Sequence, residues 1–265
     1  MPERATIDWK KDSQSFDQVA ETYDTFRPTY PPELVEAVIA LSGIPAAGKI
    51  LEIGSGTGKA SLLFAQHGYS MVCVEPGENL AAVAARNLAA FPGVQFELSR
   101  FEDWQETTGV FDLAFSAQAF HWVPKEIGYA KAARALKPHG HLALFWNMYP
   151  GFDGQLAADL DKVYQEVAPG LGSPLSATDE AIRQRVREIE ESGCFGPVSV
   201  RRFPWTKRYT TQEYLGLLNT YSDHLRLPEE TRKRLLLSIG QVIEKYGGSI
   251  ERLYLAVLYV AEKVS

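Results

Sequence analysis

The sequence is poor in the residues that cross-link or bind metals. Its two cysteines, Cys73 and Cys194, are too few for a disulfide framework, and neither sits in a CxxC pair or a Cys/His cluster with metal spacing. They read as buried thiols of a reducing compartment, and no metal is expected. Long apolar runs are missing as well. The most apolar stretch, Leu253 to Ala261, lies between Arg252 and Glu262 and is too short to cross a bilayer as a helix. Met1-Pro2-Glu3-Arg4 is followed by Asp8, Lys10, Lys11 and Asp12 with no apolar h-region, so no signal peptide, no membrane association and a cytoplasmic location are expected. Positive charge is not in excess: Lys plus Arg is 27 and Asp plus Glu is 33, a net charge of −6. That balance argues against a nucleic-acid partner held by a broad basic surface. Internal repeats and low-complexity segments are absent. What remains is a chain of 265 residues, 45% hydrophobic, enough for one large domain or two small ones.

Periodicity organises the chain. Phe16, Val19, Ala20 and Tyr23 share one face of a helix, within a helical stretch over residues 13–42 that Pro28, Pro31 and Pro32 interrupt. Pro32 suits the start of a second helix, Glu33 to Leu41, which Gly43 and Pro45 end. Short apolar strands then alternate with helices. Strands are expected at Lys49–Ile53, Ser70–Glu75, Val94–Ser99, Phe111–Ser116 and His141–Trp146, with helices at Lys59–His67, Asn79–Ala90 and Ile127–Leu136. Apolar strands alternating with helices imply βαβ units and a parallel sheet covered on both faces. After Asn147 the rhythm changes. Gly151, Gly154, Pro169, Gly170, Gly172 and Pro174 punctuate helices at about 155–167 and 178–192, read as an inserted helical cap. A strand from Val198 to Tyr209, helices at about 211–221 and 228–246, and a buried strand from Leu253 to Ala261 complete the chain.

The most specific motif is Ile50-Leu51-Glu52-Ile53-Gly54-Ser55-Gly56-Thr57-Gly58, a strand running into a glycine turn and then a helix. Gly54 and Gly56 allow a tight turn and a close ligand approach. A dinucleotide fingerprint, GxGxxG, would put its third glycine at position 59, which is Lys59. Glu52 also stands two residues before the first glycine and would repel a pyrophosphate. An adenosyl ligand with an ammonium group and no phosphate fits better, and S-adenosylmethionine is one. Its methionine carboxylate can face the amides of the loop and helix start. Glu75 ends the second strand, 21 residues after Gly54, in register to accept the ribose hydroxyls. Beyond the third strand, Phe101 is placed to flank an adenine ring, and Glu102 or Asp103 to accept its amino proton. Ser116-Ala117-Gln118-Ala119-Phe120-His121-Trp122 ends the fourth strand. All four features fall at the carboxyl ends of strands, where open parallel sheets bind ligands.

These residues resemble the class I S-adenosylmethionine-dependent methyltransferases over Phe16 to about Asn147. Glu52-Ile53-Gly54-Ser55-Gly56-Thr57-Gly58 is similar to their motif I. Phe111-Asp112-Leu113-Ala114 with Phe120-His121-Trp122 is similar to the fourth-strand motif, and Ala135-Leu136-Lys137-Pro138-His139-Gly140-His141-Leu142 to the segment entering the fifth strand. Within the class, Phe16-Asp17-Gln18-Val19-Ala20-Glu21-Thr22-Tyr23-Asp24 with Arg27-Pro28 and Tyr30-Pro31 resembles the opening helix of the small-molecule branch. That branch includes ubiquinone-biosynthesis and trans-aconitate methyltransferase-like proteins with methyltransferase type 11 or 25 domains. The resemblance implies a Rossmann-like, doubly wound α/β fold with a seven-stranded sheet whose last strand is antiparallel, and a count of five strands plus two late ones agrees with it. It also implies a division into a helical lid over 1–45, an S-adenosylmethionine-binding core over 46–147, a helical cap over 148–195, and C-terminal helices with the last two strands over 196–265. The lid helix of that branch covers the cofactor, which makes Tyr23 and Arg27 candidate cofactor contacts beside Glu52, Gly54, Ser55, Gly56, Gly58, Glu75, Pro76, Phe101, Glu102, Ser116, Ala117, Gln118 and Trp122.

The reaction expected is in-line transfer of a methyl group to a small-molecule acceptor, driven by proximity and alignment. Tyr23, Phe120 and Trp122 are candidates to face the cationic donor, although each also suits core filling. His121 is the candidate general base, since its ordinary pKa is near neutral. Arg27, Arg201, Arg202, Lys207 and Arg208 are placed to meet an acidic acceptor, while Arg201 and Arg202 read more simply as a solvated strand face. No Asn/Asp-Pro-Pro-aromatic segment ends the fourth strand, which speaks against a DNA base as acceptor. Two other readings stay open. One is a cofactor-binding regulatory or partner protein that transfers nothing. The other is an NAD-dependent oxidoreductase, which Glu52 and Lys59 disfavour. The oligomeric state, monomer or weak dimer, is not legible.

Overall fold

A computed structural model describes residues 16–171 and 179–264. The expected helix start at residues 13–15 and the punctuation by Gly172 and Pro174 lie outside the described residues. Helices α1 (Ala20–Phe26) and α2 (Pro32–Ser42) come first. Arg27 ends α1 in an extended conformation, as the residue before a proline must. Pro32 opens α2 at its first position and Gly43 closes it in the left-handed region. There follow β1 (Lys49–Ile53), α3 (Lys59–Gln66), β2 (Ser70–Glu75), α4 (Glu78–Asn87), β3 (Val94–Leu98), β4 (Phe111–Ala117), a single 3₁₀ turn at Phe120–Trp122, α5 (Lys125–Ala135) and β5 (Leu136–Met148). The rest of the chain forms α6 (Gly154–Val167), α7 (Asp179–Glu191), β6 (Ser199–Thr210), α8 (Thr211–Leu218), α9 (Ser222–Leu225), α10 (Glu229–Lys245) and β7 (Ser249–Glu262).

The seven strands form one sheet in the order β3-β2-β1-β4-β5-β7-β6, with the last strand antiparallel. β1 pairs in parallel with β2 on one side and with β4 on the other, so the strand order reverses beside it. The fold is the Rossmann-like doubly wound α/β sheet expected. One difference lies in β5, which begins at Leu136 rather than His141. Phe111 pairs with Leu136 and Leu113 with His141, so Lys137–Gly140 bulge opposite the single residue Asp112. His139 takes φ +61 there, and the Lys137 ammonium pairs with the Asp112 carboxylate at 2.8 Å, which pins the bulge. A second difference is the helix expected over 211–221, which divides at Asn219–Tyr221 into α8 and α9.

Two compact units make up the chain. The larger comprises residues 29–147, 177–203 and 255–265. Ile50, Leu51, Ile53, Phe64, Leu113, Phe115 and Phe145 fill its core, with Phe64 stacked on Phe115 at 4.4 Å between ring centroids. The smaller comprises residues 1–28, 148–176 and 204–254. Its core gathers Leu160, Leu217, Leu235, Ile239 and Ile243 from α6, α8 and α10 with the buried tyrosines Tyr149, Tyr209, Tyr214 and Tyr254. A capping box starts α8: the Thr210 hydroxyl accepts from the Glu213 amide while the Glu213 carboxylate accepts from the Thr210 amide.

Helix α1 packs on α8. The contact is close because Gly216 has no side chain: a Cβ there would stand 2.6 Å from the Phe26 ring. Gly216→Ala should therefore destabilise the smaller unit by about 1–3 kcal/mol through overpacking, read as a lower urea midpoint. An unchanged midpoint would show that this helix pair does not bear on stability.

Candidate functional site

The turn after β1 is built on glycine for two separate reasons. Gly54 takes φ +74, and a Cβ on it would meet the Ala119 Cβ at 2.5 Å. Gly56 takes φ +57 with nothing within 4 Å of a Cβ, so only the left-handed backbone demands glycine there, and the space beside it stays open. Gly58 caps the start of α3. Glu75, at the end of β2, is buried and points back at this turn. Its carboxylate accepts from the Gly56 amide at 2.8 Å and from the Gly77 amide at 2.9 Å. The register expected for β2 therefore holds, and the carboxylate does not face solvent. Pro76 beside it is exposed.

Glu52 is fully buried in the middle of the sheet. One of its oxygens accepts from the Ser61 hydroxyl and from the Cys73 thiol, while Oε1 has no partner among the described residues. Burial, reinforced by the nearby Glu75 charge, raises its pKa to about 7 against the lowering pull of those hydrogen bonds. Burial likewise pushes the Cys73 thiol well up, with the Glu52 charge adding to it. Ser55 Oγ and Thr57 Oγ1 in the turn are also buried without a partner. A cationic or polar ligand group would satisfy atoms of this kind, and most buried polar atoms are satisfied.

The ends of β3 and β4 are less uniform. Phe101 is buried and stacks on Trp104 at 5.8 Å, with the Lys131 ammonium 5.8 Å from its ring. Its neighbour Glu102 is partly exposed, and its carbonyl accepts from Lys131. Ser116 is buried and donates to the Ile53 carbonyl at 2.6 Å, which fastens β4 to β1. Ala117 and Gln118 are partly exposed, and Gln118 takes φ +59 so that its side-chain oxygen accepts from the Asn147 amide at 2.6 Å. Phe120 is buried against Tyr129, as core filling requires. Trp122 is partly exposed, 4.8 Å from the His121 ring.

His121 keeps an exposed edge, yet protein crowds its ring. Trp146 Nε1 donates to Nδ1 at 3.2 Å. Crowding first and the Arg185 charge second lower its pKa to about 4. The neutral ring therefore carries its proton on Nε2, and its free lone pair is engaged by Trp146. Proton abstraction by this imidazole requires Trp146 to let go.

Tyr23 and Arg27 belong to the smaller unit, where Arg27 lies 5.0 Å above the Tyr23 ring and binds Thr220. On β6 the basic residues are engaged locally: Arg202 pairs with Asp179, Arg208 binds Ser249, Lys207 lies over Tyr209, and Arg201 is exposed. Sequence reasoning missed Ser61 and Cys73 as partners of Glu52, and Trp146 and Arg185 as neighbours of His121. Ser61 lies in the first turn of α3, directly after the glycine turn, and Cys73 pairs with Glu52 across the β1–β2 ladder, so the motif and the register point to them. Arg185 arrives from a distant segment and leaves no such signal.

Comparison with known proteins agrees with this geometry. Residues 50–140 match the model of a methyltransferase domain family. An uncharacterized methyltransferase of Mycobacterium tuberculosis is 27% identical over 248 residues, covering 94% of this chain and 93% of the relative. One from Schizosaccharomyces pombe is 26% identical over 248 residues, covering 91% and 94%. Among solved structures, a putative type II methyltransferase of Anaeromyxobacter dehalogenans superposes with TM-score 0.61 at 24% identity over 90% of this chain and 97% of that one. Phosphoethanolamine N-methyltransferase 2 of Haemonchus contortus, solved with phosphomonomethylethanolamine and S-adenosylhomocysteine, superposes with TM-score 0.57 at 14% identity. The chain spans 62% of that enzyme's length. These structural likenesses concern the fold.

Glu52 also sets a pH dependence of stability. Its pKa is about 7 when folded and 4.5 in its ordinary state, so between those values the folded chain holds the extra proton and stability falls as pH rises. Glu52→Gln removes that loss. The variant should melt a few degrees above wild type at pH 8 and show no gain at pH 4.5, measured by calorimetry across pH. A gain of equal size at both pH values would overturn this assignment.

Proposed function

We propose that this chain is a class I S-adenosylmethionine-dependent methyltransferase that acts on a small-molecule acceptor. The observation that carries the reading is positional. β3, β2, β1 and β4 are neighbours in the sheet, so Gly54–Gly58, Glu75, Glu102 and Ser116–Gln118 converge at one edge of it. The orphaned oxygens of Glu52, Ser55 and Thr57 cluster at the same turn. S-adenosylmethionine supplies an electrophilic methyl group on a sulfonium. Glu75 is placed for its ribose, the turn amides for its carboxylate, and Glu52 for its positive charge.

The acceptor class rests on two features of this chain. The segment Ser116-Ala117-Gln118-Ala119-Phe120 carries no proline-aromatic signature for a DNA base. The acidic net charge gives no broad surface for a polyanion. His121 serves as a hydrogen-bond donor through Nε2 rather than as a base, because its lone pair is taken and its proton affinity is low. No helix among the described residues is long and apolar enough to cross a membrane.

S-adenosylhomocysteine should raise the melting temperature while NAD does not, and stabilisation by NAD alone would reverse the choice of cofactor. Glu75→Ala should weaken S-adenosylhomocysteine binding roughly tenfold or more by calorimetry. His121→Ala should lower turnover more than cofactor affinity, and wild-type activity should show no His121 limb between pH 5.5 and 8, given its pKa of about 4. Loss of cofactor binding alone in that variant would remove His121 from the reaction. A screen of metabolites with labelled methyl donor separates transfer from a purely binding role.

A further inference from the structure

The smaller unit holds two guanidinium groups: Arg27, already a candidate for the cofactor or an acidic acceptor, and Arg252, to which methyl transfer assigns no role. Arg252, on β7, is 5% exposed. Among the described residues its side chain makes one hydrogen bond, from Nη1 to the Tyr221 hydroxyl at 2.8 Å. Its guanidinium carbon lies 4.0 Å from the Tyr149 ring centroid, 5.4 Å from Tyr254 and 5.6 Å from Tyr214. Arg27, after α1, donates from Nε and Nη2 to the Thr220 hydroxyl and carbonyl, each at 2.7 Å. It lies 4.4 Å from the Tyr221 ring and 5.0 Å from Tyr23. Tyr221 thus touches both cations. Among the described residues no carboxylate pairs with either. Asp223, two residues from Tyr221, is committed to His224, whose ring nitrogen and amide it holds at 2.8 Å.

A buried charge without a counter-charge is costly, and two of one sign around a single ring repel each other. Ring faces recover about 0.5–2 kcal/mol per contact, and they do not neutralise the charge. Among the described residues, the remaining side-chain N–H groups of Arg252 have no acceptor. Arg27, Tyr23 and Tyr221 are only partly buried, so solvent reaches the cluster from their side. We propose that Arg27 and Arg252, walled by Tyr23, Tyr149, Tyr214, Tyr221 and Tyr254, form a binding site for the carboxylate of a small organic acid. The guanidinium fork matches a carboxylate in two parallel hydrogen bonds. The aromatic walls suit the carbon body of an organic acid better than a strongly hydrated inorganic anion. The site lies within one unit, so it stands whether or not the chain transfers a methyl group.

The test titrates the full chain with sodium benzoate, sodium citrate or inorganic phosphate, each against sodium chloride of equal ionic strength, and follows the melting temperature. At least one carboxylate should stabilise the wild type saturably. Its half-saturating concentration should rise roughly tenfold or more in both Arg252→Met and Arg27→Gln. If Arg252→Met does not fold, Tyr221→Phe, which removes the hydroxyl that holds Arg252, takes its place beside Arg27→Gln. No carboxylate effect beyond chloride, protection by phosphate alone, or unchanged half-saturation in the folded variants would each overturn the proposal. S-adenosylhomocysteine titrated in parallel reports on the methyltransferase reading by itself.

Discussion

The molecule depends on the burial of β1. Four of its five residues are inaccessible, and it has a parallel neighbour on each side. A strand so enclosed can contribute to a ligand site only at its end, where the chain must leave the sheet. The turn at Gly54 follows from that position. So does the convergence of four strand ends, because β2 and β4 flank β1 directly and β3 flanks β2. Ser116 locks the arrangement by donating to the Ile53 carbonyl, which joins the ends of two strands that are far apart in sequence.

The same enclosure explains why Glu52 behaves unlike a surface acid. A carboxylate in the interior loses hydration that two donors do not replace, so its proton is held to about pH 7. A hydrophobic residue would serve the sheet better. An acid at this position, with one oxygen left unpartnered, is instead suited to an external positive charge that draws the proton off. Glu75 is the contrasting case. Two backbone amides hold it, so the same carboxylate fixes the turn.

Much of this was legible in the sequence because the signals were local. The strand limits at Lys49–Ile53 and Ser70–Glu75 coincide with the apolar runs, and the glycine spacing placed the turn. Elements whose limits depend on tertiary pairing were harder. β5 begins five residues before His141 because Lys137–Gly140 bulge against Asp112, and a Pro-His-Gly sequence reads as a break rather than as part of a strand. The behaviour of His121 was not legible. Its neutral state comes from Trp146 on an adjoining strand and from Arg185 on α7, neither of which shares a motif with it. The pairing of Arg27 with Arg252 joins the two ends of the chain, and only the fold brings them to one tyrosine.

Each unit therefore keeps an ionisable group with no full counter-charge in its interior, Glu52 in the larger and Arg252, beside the half-buried Arg27, in the smaller. The three groups are costly in the same way, since folding strips their hydration and supplies no full counter-charge. A fold shaped by stability alone would replace them with apolar residues of similar volume, which is often neutral or favourable. Their surroundings point the other way. Glu52 is held by a hydroxyl and a thiol, and the arginines by ring faces and a few oxygen acceptors. Such partners fix a side chain's geometry without cancelling its charge, which leaves that charge available to a ligand of opposite sign. By this argument the unusual composition of these two interiors, an acid inside a sheet and arginines inside a tyrosine cluster, is better explained by what they bind than by what they hold together.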